Sequence, residues 1–221
     1  MKVRLFIPNM IVLLVVSSAH ATPLSPGSQV VPSAEAALPA GSYAFSPTTS
    51  PITGINALGQ TRFTGTLTFA VYRESATGFL DFVYQYHANA GSRDPIEHFA
   101  MTDFGTFSTN VTHITGTAPS GFVLGTIAPG TASRSPDGGV VAFNFLPNTI
   151  PSGRTSQVEV IHTNATLMDL GTTNVIDGAI ATVVTRGPRG APEPATLTLF
   201  GGGLLSLGGF VWRRKRHANT A

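Results

Sequence analysis

The chain has no cysteine among its 221 residues. That excludes a disulfide framework, a thiolate metal site, a cysteine nucleophile and an acylated N-terminal cysteine anchor. Charge is scarce too, at 11% of residues, and Lys2 and Lys215 are the two lysines. The placement of the basic residues decides what the net charge of +2 means. Lys2 and Arg4 open the chain, and Arg213, Arg214, Lys215 and Arg216 crowd its end. Between Thr22 and Pro194 seven arginines stand against eleven acids, a net charge of −4. A mildly acidic body with dispersed arginines offers no basic stripe to follow phosphates, so nucleic acid is excluded as a partner. No window carries a 3.6-residue apolar period, and there is no H-x-H, H-E-x-x-H, Asp-rich calcium loop or G-x-S-x-G. On these grounds the chain is expected not to be an enzyme, with no catalytic residue, no metal ligand and no cofactor assigned.

The length suits one ordinary domain plus targeting segments. Residues 1–21 have a basic start, an apolar run from Ile11 to Val16 and a small-residue exit at Ala19-His20-Ala21. This order is that of a signal peptide, with Ala19 and Ala21 at the positions signal peptidase reads and cleavage before Thr22. The lack of an Arg-Arg pair favours the general secretory route. Residues 195–212 carry no charge. At 1.5 Å per residue they extend about 27 Å as a helix, enough to cross a thin hydrocarbon core. Their five glycines cost less in lipid than in water, where exposed backbone competes for solvent. Trp212 stands where an interfacial aromatic belongs, and Arg213–Arg216 form a basic stop that keeps residues 213–221 cytoplasmic. Both cues place residues 22–194 outside the membrane.

Directly before this span lies Ala191-Pro192-Glu193-Pro194. Two proline rings hold φ near −65° and disfavour helix at the residue before each, so the segment stays extended with one charge to be read. Pro-Glu-Pro, an apolar span and a basic stop, in a chain that opens with a signal peptide, together resemble the PEP-CTERM sorting signal. The resemblance covers about residues 191–216. It implies processing by a membrane-embedded exosortase that recognises Pro192, Glu193 and Pro194. It further implies delivery to the cell envelope or an exopolysaccharide matrix.

The body divides into a Pro/Ser/Ala-rich segment at 22–40, an ectodomain at 41–186 and a linker at 187–194. Residues 22–40 read as a loosely ordered arm or an edge strand. From Gly41 onward the period is two. Phe63, Leu67, Phe69 and Val71 alternate with Thr64, Thr66 and Thr68, the pattern of a half-buried strand. Beyond a turn at Ala76–Gly78, Leu80, Phe82, Tyr84 and Tyr86 alternate with Asp81, Val83 and Gln85 as its hairpin partner. Further strands are expected near 98–103, 110–115, 121–124, 140–145, 157–163 and 179–185. Turn residues separate them, as at Ser135–Gly139, Pro151–Gly153 and Asp177–Gly178. The fold class is therefore all-β, an antiparallel β-sandwich with one C-terminal transmembrane helix. The stretch from Ser156 to Pro188 resembles the last strands of many PEP-CTERM ectodomains.

The titratable candidates of the body are His87, His98, His113, His162 and scattered acids. Glu97 and His98, with Asp94 and Asp103 nearby, suggest a metal corner, but neighbours on a strand point to opposite faces and make poor joint ligands. Phe82, Tyr84 and Tyr86 read as core packing in preference to a sugar-stacking platform. The expected role is that of a structural or interaction protein, and the alternative is a carbohydrate-binding module on the same tail.

Overall fold

The computed structural model describes residues 21–190, and these contain strands and turns without a helix. Three short strands come first: β1 (Thr22–Pro23), β2 (Gln29–Val30) and β3 (Ser33–Glu35). An antiparallel meander follows, of β4 (Gly41–Ile55), β5 (Thr61–Glu74) and β6 (Leu80–Ala88). Then come β7 (His98–Met101), β8 (Thr109–Ile114), β9 (Thr131–Arg134), β10 (Val141–Asn144) and β11 (Val158–Thr163). The hairpin of β12 (Leu167–Ile176) and β13 (Ile180–Arg189) closes the described chain.

Hydrogen bonds join these strands into one sheet in the order β1-β8-β11-β6-β5-β4-β13-β12-β7-β10-β9-β2, with β3 beside β8. Every strand pairing along that path is antiparallel, and β3 pairs with β8 in parallel. The two ends of the path, β1 and β2, are separated by only five residues of chain, so the sheet curls until its ends nearly meet. Arg134, 5% exposed, ties the seam. Its guanidinium donates to the carbonyls of Leu24, Phe104, Phe107 and Gly138 and to the Thr109 hydroxyl. Inside the curl one large apolar cluster collects Phe63, Phe82, Tyr84, Phe99, Phe104 and Phe143 from strands far apart along the path. Rings of Phe82 and Phe104 meet edge to face at 5.5 Å. The expected all-β, antiparallel class is met. The hydrogen bonding, however, runs through one nearly closed sheet, because the N-terminal strands bridge its two edges. The transmembrane helix and signal peptide expected from sequence fall outside the described residues.

β5 follows its sequence closely. Phe63, Leu67, Phe69 and Val71 are buried and the threonines between them half-buried. Gly65 occupies an inward position because a Cβ there would lie 2.2 Å from the Tyr86 hydroxyl and 2.4 Å from the His87 carbonyl. The turn to β6 needs Gly78 at φ 72°, where side chains are strained.

β6 departs from the expected one-sided pattern, for every residue from Leu80 to Tyr86 is buried. Phe82, Tyr84 and Tyr86 face the main cluster. On the other side a second cluster of Ala70, Val83, Ile114, Phe122, Val158 and Val160 is covered by Leu38, Tyr43, Tyr72 and Ala118. Much of that cover comes from segments outside strands, which an alternation pattern cannot reveal.

Residues 121–124, expected as a strand, are not one. A side chain replaces the neighbouring strand: Gln85 Nε2 donates to the Val123 carbonyl at 2.7 Å, and the Val123 N–H donates to Gln85 Oε1 at 3.1 Å. Residues 22–40 carry β1 to β3 and bury Leu24 at 1% exposure. Residues 187–189, read from sequence as linker, belong to β13 and pair with Leu167, Met168 and Asp169. β12 and β9 carry no clear sequence signal, since in β12 the buried positions of the second half include Gly171 and Thr173.

Candidate functional site

Two features bear on function: the point where the sheet hands the chain to its C-terminal segment, and a buried polar cluster on the outer face.

β13 ends at Arg189, and Pro188, Arg189 and Gly190 line a cleft of about 690 Å³ with Thr102, Asp103, Phe107 and Leu170. Arg189 Nη1 lies 3.4 Å from Asp169 Oδ2, an exposed pair of small energetic weight. Pro192 follows Arg189 by three positions, with Gly190 and Ala191 between them, a reach of at most about 10 Å. The last strand therefore ends only a few residues ahead of the Pro-Glu-Pro motif in sequence. Pro192, Glu193, Pro194 and the basic residues Arg213, Arg214, Lys215 and Arg216 lie outside the described residues, as does Ala19. Ala21 is described; it is half-buried and immediately precedes β1.

The polar cluster is built from four strands. β6 and β11 are paired so that Asp81 lies opposite His162. Glu74 ends β5, and Glu35 ends β3 where that strand lies along β8. His162 Nδ1 is 2.9 Å from Asp81 Oδ1 and 3.9 Å from Glu74 Oε1. Its Nε2 is 3.0 Å from the Thr112 hydroxyl and 3.6 Å from Glu35 Oε2. Asp81 is fully buried, and its Oδ2 has no hydrogen-bond partner among the described residues; buried Glu35 Oε2 has none either. Burial alone would depress the imidazole, yet its hydrogen bond to Asp81 and the nearby charges of Asp81 and Glu35 outweigh it and raise His162 to about 10. Burial pushes the Asp81 carboxyl up, opposed by its bond to His162. With its value raised to about 10, His162 is an imidazolium at neutral pH, bonded to Asp81.

A second buried acid, Glu159, lies on the core side of β11. Burial raises its carboxyl well above the ordinary range. Ser156 Oγ is 3.1 Å from Glu159 Oε2 and 2.7 Å from the Gln157 carbonyl, and it also receives the Tyr86 N–H. One hydroxyl proton cannot serve two acceptors, so a protonated Glu159 completes this network.

Among the described residues the Glu97–His98 corner does not assemble; the set of His and carboxylate side chains that converges is Glu74, Asp81 and His162. His98 lies on β7 between Asn144 and Ile176. Phe82, Tyr84 and Tyr86 are at most 1% exposed, which removes them as a sugar platform and confirms them as core. Sequence reasoning had His162 and missed its company, because the cross-strand register that sets Asp81 opposite it is a tertiary fact.

These features define an all-β body whose last strand runs straight into a C-terminal sorting segment. Residues 191–215 match the PEP-CTERM protein-sorting motif. The chain thus carries a PEP-CTERM sorting signal, the mark of an exported protein processed by an exosortase. No curated protein and no solved structure matches it. Among the described residues no helix is long and apolar enough to cross a membrane, and residues 195–212 lie outside them.

Proposed function

We propose that this chain is a surface protein, delivered through the secretory route, held as a single-pass precursor by residues 195–212 and released by exosortase acting at Pro192–Pro194. Signal peptidase removes residues 1–21, and the body then serves the cell envelope or its exopolysaccharide matrix by structure or contact, without catalysis. The observation that carries the reading is the match at residues 191–215, set immediately after a folded sheet that ends at Arg189. A stiff extended peptide between a compact domain and a membrane span is accessible to a membrane-embedded enzyme and to little else. Supporting a non-catalytic body, Asp81 and Glu159 are shut away from solvent, and the His162 side chain is 11% exposed. The test is Glu193→Ala in a host that has the exosortase. The variant should accumulate as uncut, membrane-bound precursor while unaltered protein is processed. Equal processing of both would refute the assignment.

One observation favours a carbohydrate-binding role as a second reading. Tyr43 and Tyr72, half-buried and edge to face at 5.5 Å, line a cleft of about 460 Å³ with Leu38, Pro119 and Ser120. Exposed tyrosine faces stack on sugar rings. Binding of the mature protein to a glycan array, lost in Tyr72→Ala, would establish it; an empty array would discard it.

A further inference from the structure

The sequence assigns no metal, yet the outer face of the sheet holds an arrangement that a cation would complete. We propose that Glu74, Asp81 and His162 form a site for a divalent metal ion of the zinc class, with Glu35 and Thr112 orienting the imidazole from its far side.

Geometry comes first. One ligand atom from each of Glu74, Asp81 and His162 lies within 4.8 Å of the others. Tetrahedral zinc with bonds near 2.0–2.2 Å sets its ligands about 3.3 Å apart, so small side-chain shifts suffice to admit the ion. His162 turns Nδ1 toward Asp81 and Glu74 and Nε2 toward Thr112 and Glu35. On binding, the ion displaces the Nδ1 proton to solvent; the N–H on Nε2, donated to the Thr112 hydroxyl, then leaves the Nδ1 lone pair aimed between the two other acids. A metal-bound histidine is commonly held this way, its second nitrogen fixed by a carboxylate or hydroxyl.

Unmet valence supplies an independent sign. Asp81 is fully buried, its Oδ2 has no partner among the described residues, and Glu35 Oε2 is likewise buried without a hydrogen bond. A buried carboxylate oxygen left bare is costly. Composition adds to this: the acids Glu35, Glu74 and Asp81 surround one imidazole. Arg73, the chain neighbour of Glu74 on β5, is committed to the carbonyls of Gly78 and Thr166. A divalent ion balances the cluster where no side chain does.

The donor set selects the metal. One imidazole with two carboxylates suits zinc or manganese, and of these zinc binds such sites more tightly. Calcium asks for six or more oxygens, which the cluster does not offer. Asp81 is fully buried and the other side chains of the cluster are at most 18% exposed, which suits an ion held for structure, with a water completing its coordination. The ion ties β5, β6 and β11 together and, through Glu35, latches the N-terminal segment onto the sheet.

The test uses the full-length chain in mild detergent, stripped with EDTA and titrated calorimetrically with zinc chloride, then with manganese and calcium chloride. One equivalent of zinc should bind and raise the melting temperature. His162→Gln and Asp81→Asn should each weaken zinc binding by about 100-fold or more, and Glu35→Gln by about 10-fold, the range expected of residues that orient a ligand. His98→Gln should leave it unchanged. Far-ultraviolet circular dichroism of each variant reports whether the sheet persists. Failure of the unaltered chain to bind zinc or manganese would overturn the proposal and leave an ion-pair cluster only. So would zinc binding that survives His162→Gln at full affinity, or calcium binding in preference to zinc.

Discussion

His162 offers a quantitative test of the outer-face cluster in its metal-free state. The carboxylates of Asp81 and Glu35 overcome burial and lift the imidazole from 6.5 to about 10. A shift of that size corresponds to about 3–5 kcal/mol at roughly 1.4 kcal/mol per pH unit. The sign follows from proton linkage. A folded-state value above the unfolded one means that the native protein binds the proton more tightly. The contribution is therefore complete below pH 6.5 and drains away as pH rises toward about 10. Replacing His162 with Gln keeps a hydrogen-bond donor near Asp81 and removes the titration. Urea unfolding of the EDTA-treated full chain, followed by circular dichroism across pH 5 to 11, measures both proteins. The stability advantage of His162 over Gln should be largest and flat at the acid end. It should then shrink by about 1.4 kcal/mol per pH unit through the window and level off above it. An advantage that is constant with pH, or that grows with pH, would refute an imidazolium held by buried carboxylates.

Two further substitutions probe the buried polar groups. Glu159→Gln should stabilise the protein at neutral pH: a carboxyl held well above its ordinary value loses stability as pH rises, by up to about 1.4 kcal/mol per unit above its unfolded value. The gain over unaltered protein should thus widen from pH 5 to 7 in the same urea assay and vanish near pH 4. Arg134→Lys should lower the melting temperature by several degrees. A point ammonium cannot reach the five acceptors that the guanidinium fork serves, and stranding two buried carbonyls costs about 2–4 kcal/mol. A scanning-calorimetry trace unchanged from wild type would show that the seam between β1 and β2 does not depend on that clamp.

Strand β5 was readable because its alternation of Phe63, Leu67, Phe69 and Val71 with threonines is a local property of a half-buried surface. Residues 121–124 read as a strand from sequence but are not one, because the Val123 backbone is satisfied by the Gln85 side chain, which lies far away in sequence. β6 read as one-sided because Asp81 and Gln85 look like solvent-facing residues; their burial depends on segments that fold over them from elsewhere. For the candidate metal site, residue types were visible and proximity was not. Glu35, Glu74, Asp81 and His162 come from four separate strands, and a register slip of one residue would turn His162 to the opposite face.

By itself the sequence determined the sorting motif, since the signal at residues 191–215 is one contiguous string of residues. It also determined the all-β class, because a period of two is imposed by the strand backbone alone. Tertiary structure alone decided that the sheet nearly closes through the seam at Arg134. It likewise decided that four acidic and basic side chains share one buried site, because strand order and register arise from the packing of the whole core and are encoded in no single segment.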